Sequence, residues 1–234
     1  MSGTLPAHVI FDLDGTLVDS APGILSGLDA ALRTHGVAPA VPLTSAIVGP
    51  PLAETLVLLC GTMNAERLAQ VARTFKEYYD SEAFRQLHVF PGVDAMLRRL
   101  ADEHVTLHIA TNKRLRPTLA ILDHLGWRGV FASVFASDMR SPPFPDKAEM
   151  LGSQLAEQAI AANACAYVGD RAEDGRAADA NGVAFYLAMW GYAAADDADL
   201  PPRWRRACSP ASISWRHNLP YNATSIADSP RRPS

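Results

Sequence analysis

Apolar residues over roughly the first 190 positions fall into two alternating patterns. Short runs rich in β-branched and aromatic residues end abruptly in polar or glycine-containing turns, as buried strands do. His8-Val9-Ile10-Phe11 stops in Asp12-Leu13-Asp14-Gly15-Thr16, and residues 105–110 stop in Thr111-Asn112-Lys113. Residues 130–135 run into Ala136-Ser137-Asp138, residues 164–168 into Gly169-Asp170, and residues 183–187 make a fifth run. Between these strands the apolar spacing becomes helical. Pro91-Gly92 opens a helix with Val93, Met96, Leu97 and Leu100 on one face; residues 116–125 form a second that stops at Gly126. Residues 148–160 form a third, and 172–180 a fourth closed by Asn181-Gly182. Strand alternating with helix predicts an α/β fold, a Rossmann-like, doubly wound parallel sheet covered on both faces. The functional site of such a sheet lies beyond the carboxyl ends of its strands, where all these polar endings fall.

From Ser20 to His88 the pattern is helical only. Ile24, Leu25, Leu28, Ala31 and Leu32 make one stripe ended by Gly36, and residues 52–59 make a second helix. Asn64 caps a third, on which Leu68, Val71, Phe75 and Tyr78 recur at helical spacing. The expectation is a discontinuous core of residues 1–19 and 89–191, an inserted α-helical cap domain over 20–88, and a partly irregular segment over 192–234.

Composition narrows the function. The 234 residues are 48% hydrophobic and 20% charged, with a net charge of −4, which excludes a mostly disordered chain and a dedicated nucleic-acid binder. Residues 201–234 hold six arginines, six prolines and one acid, a net +5 that leaves −9 for residues 1–200. That segment reads as a tail whose Trp204 and Trp215 dock on the body, with a basic recruitment segment as the alternative. Cys60, Cys165 and Cys208 are far apart and read as reduced thiols. No signal-peptide pattern and no apolar run of spanning length is evident, so a cytoplasmic protein without membrane partners, monomer or homodimer, is expected. In that setting Asn222-Ala223-Thr224 is a chance glycosylation pattern. The seven histidines are scattered without ligand spacing and read as ordinary core or surface residues.

The candidate chemistry starts at Asp12-Leu13-Asp14-Gly15-Thr16. Two carboxylates two positions apart share one side of a strand. Gly15 permits the turn that follows, and its N–H, with its neighbours', faces a bound anion. Ile47-Val48-Gly49-Pro50-Pro51-Leu52 reads either as an interhelical turn or as a loop reaching over the site.

The run Phe11-Asp-Leu-Asp-Gly-Thr-Leu-Val-Asp-Ser20 resembles the first motif of the haloacid dehalogenase superfamily, most closely its phosphoglycolate phosphatase-like members with a helical cap. Three further motifs match in order: Thr111 after a strand, Lys147 at the head of a helix, and Gly169-Asp170-Arg-Ala-Glu-Asp174. The resemblance implies that Asp12 is the nucleophile and Asp14 the acid and base. It further implies that Thr111 and Lys147 hold the phosphoryl group, with Gly15, Asn112 and Gly49 around the substrate. Asp12, the Asp14 carbonyl and Asp170 would bind Mg²⁺, and Asp174 would support them from the outer shell. The implied partner is a small phosphorylated metabolite, phosphoglycolate first. A sugar-phosphate mutase resembling β-phosphoglucomutase shares these motifs, and a catalytically silent binding module shares the fold. Two departures stand out: Ala148 follows Lys147 where proline is commoner, and Arg171 stands where Ser or Thr is usual.

Overall fold

The computed structural model describes residues 5–192 and 207–208. Its central sheet is parallel, built from β1 (His8–Phe11), β4 (Thr106–Thr111), β5 (Ser133–Ala136), β6 (Cys165–Gly169), β7 (Ala184–Ala188) and β8 (Ala207–Cys208) in the order β5-β4-β1-β6-β7-β8. A second, two-stranded sheet pairs β2 (Val18–Asp19) antiparallel with β3 (His88–Val89). Helices α4 (Val93–Asp102), α5 (Leu115–His124), α6 (Lys147–Glu157) and α7 (Ala172–Ala180) connect the parallel strands.

Alternation along β1 divides the core. Val9 and Phe11 point to one face, packed with Leu107, Ile109 and the apolar sides of α4 and α5. Ile10 points to the other, packed with Tyr167, Phe185 and residues of α6 and α7. Both faces are therefore dry, as continuous apolar strands require. Because β1 lies between β4 and β6, in register from His8 to Phe11 with both, residues just past its end sit at the point where the chain switches sides of the sheet.

The chain between β2 and β3 carries α1 (Ala21–Thr34), α2 (Leu52–Cys60) and α3 (Ala65–Ser81). Leu28, Leu32, Val71 and Phe75 continue the core cluster of the first sheet face. Asn64 caps α3 as expected, accepting from Arg67 N at 2.9 Å. The α3 stripe, however, steps by four from Val71 to Phe75 to Tyr79, so Tyr79 is buried and Tyr78 lies partly exposed, contrary to expectation.

Other differences are local. Strand β5 starts at Ser133 and not at 130, because residues 128–130 form a turn. Helix α6 begins one residue early, with Asp146 accepting from Glu149 N, and stops before Ala159 turns to φ +52°. The β2–β3 pair is too short to leave a sequence signal. Where an irregular tail was expected, Ala207–Cys208 adds a parallel strand beside β7. The expected docking of Trp204 and Trp215, the basic segment and Asn222 lie outside the described residues. Among the described residues no helix is long and apolar enough to cross a membrane. Cys60 and Cys165 are free thiols, and burial pushes Cys165 up to about 12.

Candidate active site

Asp12 follows directly on β1, and its backbone N–H donates to Val168 O at 2.9 Å, which ties the first acid to the neighbouring strand. Asp170 follows directly on β6, and Asp174 lies in the first turn of α7. One carboxylate oxygen from each of Asp12, Asp170 and Asp174 lies within 4.8 Å of the others, and all three side chains are buried. Two acids distant in sequence, Asp12 and Asp170, thus meet at the carboxyl ends of adjacent strands, and Asp174 joins them from the first turn of α7.

Lys147, the first residue of α6, reaches this cluster from the opposite side. Its Nζ donates to Asp12 Oδ1 at 3.0 Å and to Asp174 Oδ1 at 2.6 Å. Asp174 is committed on both oxygens: Tyr167 Oη donates to Oδ1 at 3.1 Å and Arg171 N to Oδ2 at 2.9 Å. It therefore orients Lys147. Asp170 accepts from Tyr192 N at 2.8 Å and, more distantly, from Thr16 Oγ1 at 3.5 Å.

The charges do not balance. Burial pushes the Asp12 carboxyl up to about 8; Lys147 opposes this, while Asp174, Asp170 and Asp14 add to it. Burial also raises Asp170, to about 6, with Asp174 adding and Arg171 opposing. Burial works against the Lys147 charge, yet Asp12 and Asp174 hold its pKa well above the ordinary lysine value. Three buried acids face one ammonium and, 3.9 Å from Asp170, the Arg171 guanidinium, so the ionised acids carry surplus negative charge, and every donor in the cluster is a hard carboxylate oxygen without His or Cys. That is the donor chemistry of a divalent cation such as Mg²⁺.

Asp14 takes no part in this cluster. Lys113 Nζ donates to its Oδ1 and Oδ2 at 3.0 and 2.9 Å, and Ser20 Oγ also donates to Oδ1. Gly15 has φ +85°, and a Cβ there would lie 2.5 Å from Asp170 Oδ2. Its need for glycine is thus steric as well as conformational. Its N–H, expected to face an anion, instead donates to Val18 O at 2.9 Å. Thr111 is buried at the end of β4, where its hydroxyl accepts from Lys113 N at 3.2 Å.

The residues 45–51 loop closes over these groups. Asn112 Nδ2 donates to Gly49 O at 3.3 Å and to Glu173 Oε1 and Oε2 at 3.1 and 3.0 Å. Asn112 thus joins loop to core by donors it would otherwise offer a ligand. Arg171 gives its guanidinium to the carbonyls of Ser45, at 3.2 Å, Ala46, at 3.3 Å, and Val48. The helix α3 side is joined by Arg114, whose two Nη atoms donate to Asp80 at 3.1 and 2.6 Å. Of the predicted residues, Asp12, Lys147, Asp170 and Asp174 converge. Asp14 and Asn112 are held by neighbours, Gly49 lies in the loop, and Thr111 is buried at the end of β4. Sequence reasoning did not single out Lys113, Tyr79, Tyr192 or Ser20. Lys113 stood in the polar ending after β4, which was the one signal available.

A sequence profile of haloacid dehalogenase-like hydrolases matches residues 9–188. A phosphoglycolate phosphatase of Xanthomonas campestris pv. campestris is 33% identical over 197 residues, covering 83% of this chain and 88% of the relative. The crystal structure of a predicted phosphatase from Clostridium acetobutylicum superposes with a TM-score of 0.74 at 25% identity, covering 82% of this chain and 88% of that one. The structure of protein tyrosine kinase A from Mycobacterium tuberculosis superposes with a TM-score of 0.72 at 32% identity, covering 86% and 91%. The acids gathered at the strand ends and the breadth of these matches lead to one conclusion: the chain belongs to the haloacid dehalogenase-like hydrolases, as a phosphatase.

Proposed function

We propose that the protein is a Mg²⁺-dependent phosphomonoesterase acting on a small phosphorylated metabolite, with phosphoglycolate as the leading substrate. The observation that carries this reading is Lys147, which joins Asp12 to Asp174 in a buried cluster whose negative charge exceeds its positive charge. Residues 20–88 would act as a cap over a core of 1–19 and 89–191. Asp12, Asp170 and the carbonyl of Asp14 would hold the metal, which when bound neutralises charge on the acids and on the phosphoryl oxygens.

The chain's own groups then have distinct tasks. An oxygen of Asp12 attacks phosphorus in line, and the bond from phosphorus to the leaving oxygen breaks. Asp14 gives its proton to that oxygen. The phosphoryl group is now carried on Asp12 as an acyl phosphate. In the second step Asp14 takes a proton from water, the water oxygen attacks phosphorus, and the bond to Asp12 breaks, which regenerates the carboxylate. Lys147 and the Thr111 hydroxyl hold the phosphoryl oxygens as charge redistributes, and Asp174 keeps the Lys147 ammonium aimed at Asp12. The residues 45–51 loop excludes water.

The test is phosphate release from a panel of phosphorylated metabolites and p-nitrophenyl phosphate, with and without Mg²⁺. Asp12→Asn is expected to lower kcat at least about a thousandfold with an unchanged circular dichroism spectrum. Activity near wild type in that variant would refute the nucleophile. Isomerisation of glucose 1-phosphate without phosphate release would favour a mutase. The kinase activity named for the tuberculosis relative differs in its acceptor, and phosphorylated tyrosine in place of free phosphate would favour it.

A further inference from the structure

A cavity of about 350 Å³ lies between the strand ends and the helical segment, and Asp14, Asn112, Lys113 and Tyr79 line it together with Leu28 and Phe75. Tyr79 is 2% exposed, and among the described residues its O–H has no acceptor, since the one polar group beside it, the Lys113 ammonium, can only donate. Buried phenols ordinarily have an acceptor. Lys113 Nζ lies over the Tyr79 ring, 4.8 Å from its centroid. That ammonium has three N–H donors, and Asp14 accepts from it on both oxygens. The ammonium and a phenol O–H without an acceptor therefore stand side by side on the wall.

We propose that Tyr79 Oη and Lys113 Nζ together seat a carboxylate on the leaving group, which makes this pair the determinant of specificity for phosphorylated 2-hydroxy acids. The inference rests on the phosphatase reading above and supplies the residues that select its substrate. A carboxylate accepts from the phenol and shares the ammonium with Asp14, whereas a neutral sugar hydroxyl brings no charge to that ammonium. Phe75 stacks on Tyr79 with ring centroids 5.4 Å apart, so that side of the seat is apolar and suits a short acid. Lys113 also holds Asp14. A substrate whose carboxylate rests on Lys113 therefore brings an oxygen on the adjacent carbon towards the residue that protonates it.

Tyr79→Phe removes one oxygen whose only polar neighbour, Lys113, is still held by Asp14, so a nearly unchanged Tm is expected. The informative readout is the ratio of kcat/KM for phosphoglycolate to that for p-nitrophenyl phosphate, measured with Mg²⁺. The ratio is expected to fall about tenfold or more, mainly through KM for phosphoglycolate. An equal change for both substrates, or no change, overturns the proposal. A second measurement does not depend on turnover: calorimetric titration of phosphoglycolate and of inorganic phosphate into Asp12→Asn, with and without Tyr79→Phe. Phosphoglycolate should weaken about tenfold and phosphate less. If the wild type cleaved neither ester, the phosphatase reading would fall, and these titrations would decide the seat alone. Equal weakening of both ligands, or of neither, would reject it.

Discussion

Lys147 occupies a position that simple helix electrostatics disfavours, since a cation at the first residue of α6 faces the positive end of the helix. It is retained there by Asp12 and Asp174, both closer than a helix end could compensate. Lys147→Met is expected to lower kcat by about 10²–10³, the usual loss for one preorganised group at a developing charge. Its effect on stability should depend on pH. Removing one member of a buried ion pair strands the other, at a cost of about 3 kcal/mol. Asp12 already takes up a proton near pH 8, however, so below that pH it escapes the penalty by becoming neutral. Urea unfolding of metal-free Lys147→Met should therefore show a larger deficit at pH 9 than at pH 6. Equal deficits at the two pH values would argue that Asp12 is not the group relieved.

At the level of elements, the residues 45–51 loop is attached to the core chiefly through one side chain, Arg171, which stands at the N-cap of α7. The sequence placed Arg171 beside Asp170 but gave no sign of its use, because its partners are backbone carbonyls over 120 residues away. A carbonyl acceptor has no residue type to read. Arg171→Ala frees the loop from three hydrogen bonds, leaving the Asn112–Gly49 contact. KM is expected to rise about tenfold with a smaller change in kcat, because the three lost bonds, each worth roughly 1 kcal/mol, order the loop and only part of that ordering is felt by the substrate. Amide exchange at Ile47 and Val48 should quicken while Asp12 stays protected. Arg171→Lys should recover only part of the loss, since all three bonds come from the terminal Nη2 and the shorter lysine side chain ends short of it. Full recovery would show that charge beside Asp170, and not the attachment, is what matters.

Across the whole molecule, the parts legible in the sequence were those written in period and in strand endings. The alternation of β1, β4, β5, β6 and β7 with α4 through α7 followed from runs that end in polar turns, and the acids at those ends were legible for the same reason. What escaped has a common cause. The β2–β3 pair has only two residues per strand, Tyr79 replaces Tyr78 because a helix turns 100° per residue, and Lys113 acquires meaning only when Asp14 folds beside it. Each depends on a distance that no local pattern encodes. The same folded distances set a pH dependence for the molecule. Raised carboxyls at Asp12, about 8, and Asp170, about 6, mean that the folded state binds more protons than the unfolded one above pH 4, so stability falls as pH rises through those values. His108 acts in the opposite sense at lower pH. Burial, then His8, lowers it to about 4, so the unfolded chain binds the extra proton and stability rises between about pH 4 and 6.5. Above 6.5 His108 is silent and the acids act alone. Metal-free protein should therefore lose Tm steadily from pH 6.5 to 8, and Mg²⁺ should flatten that slope, because a cation among the acids favours the ionised forms that high pH supplies. A metal-free Tm that is level or rising over this window would mean the acids are not raised, and with them would go the electrostatic case for a cation at the strand ends.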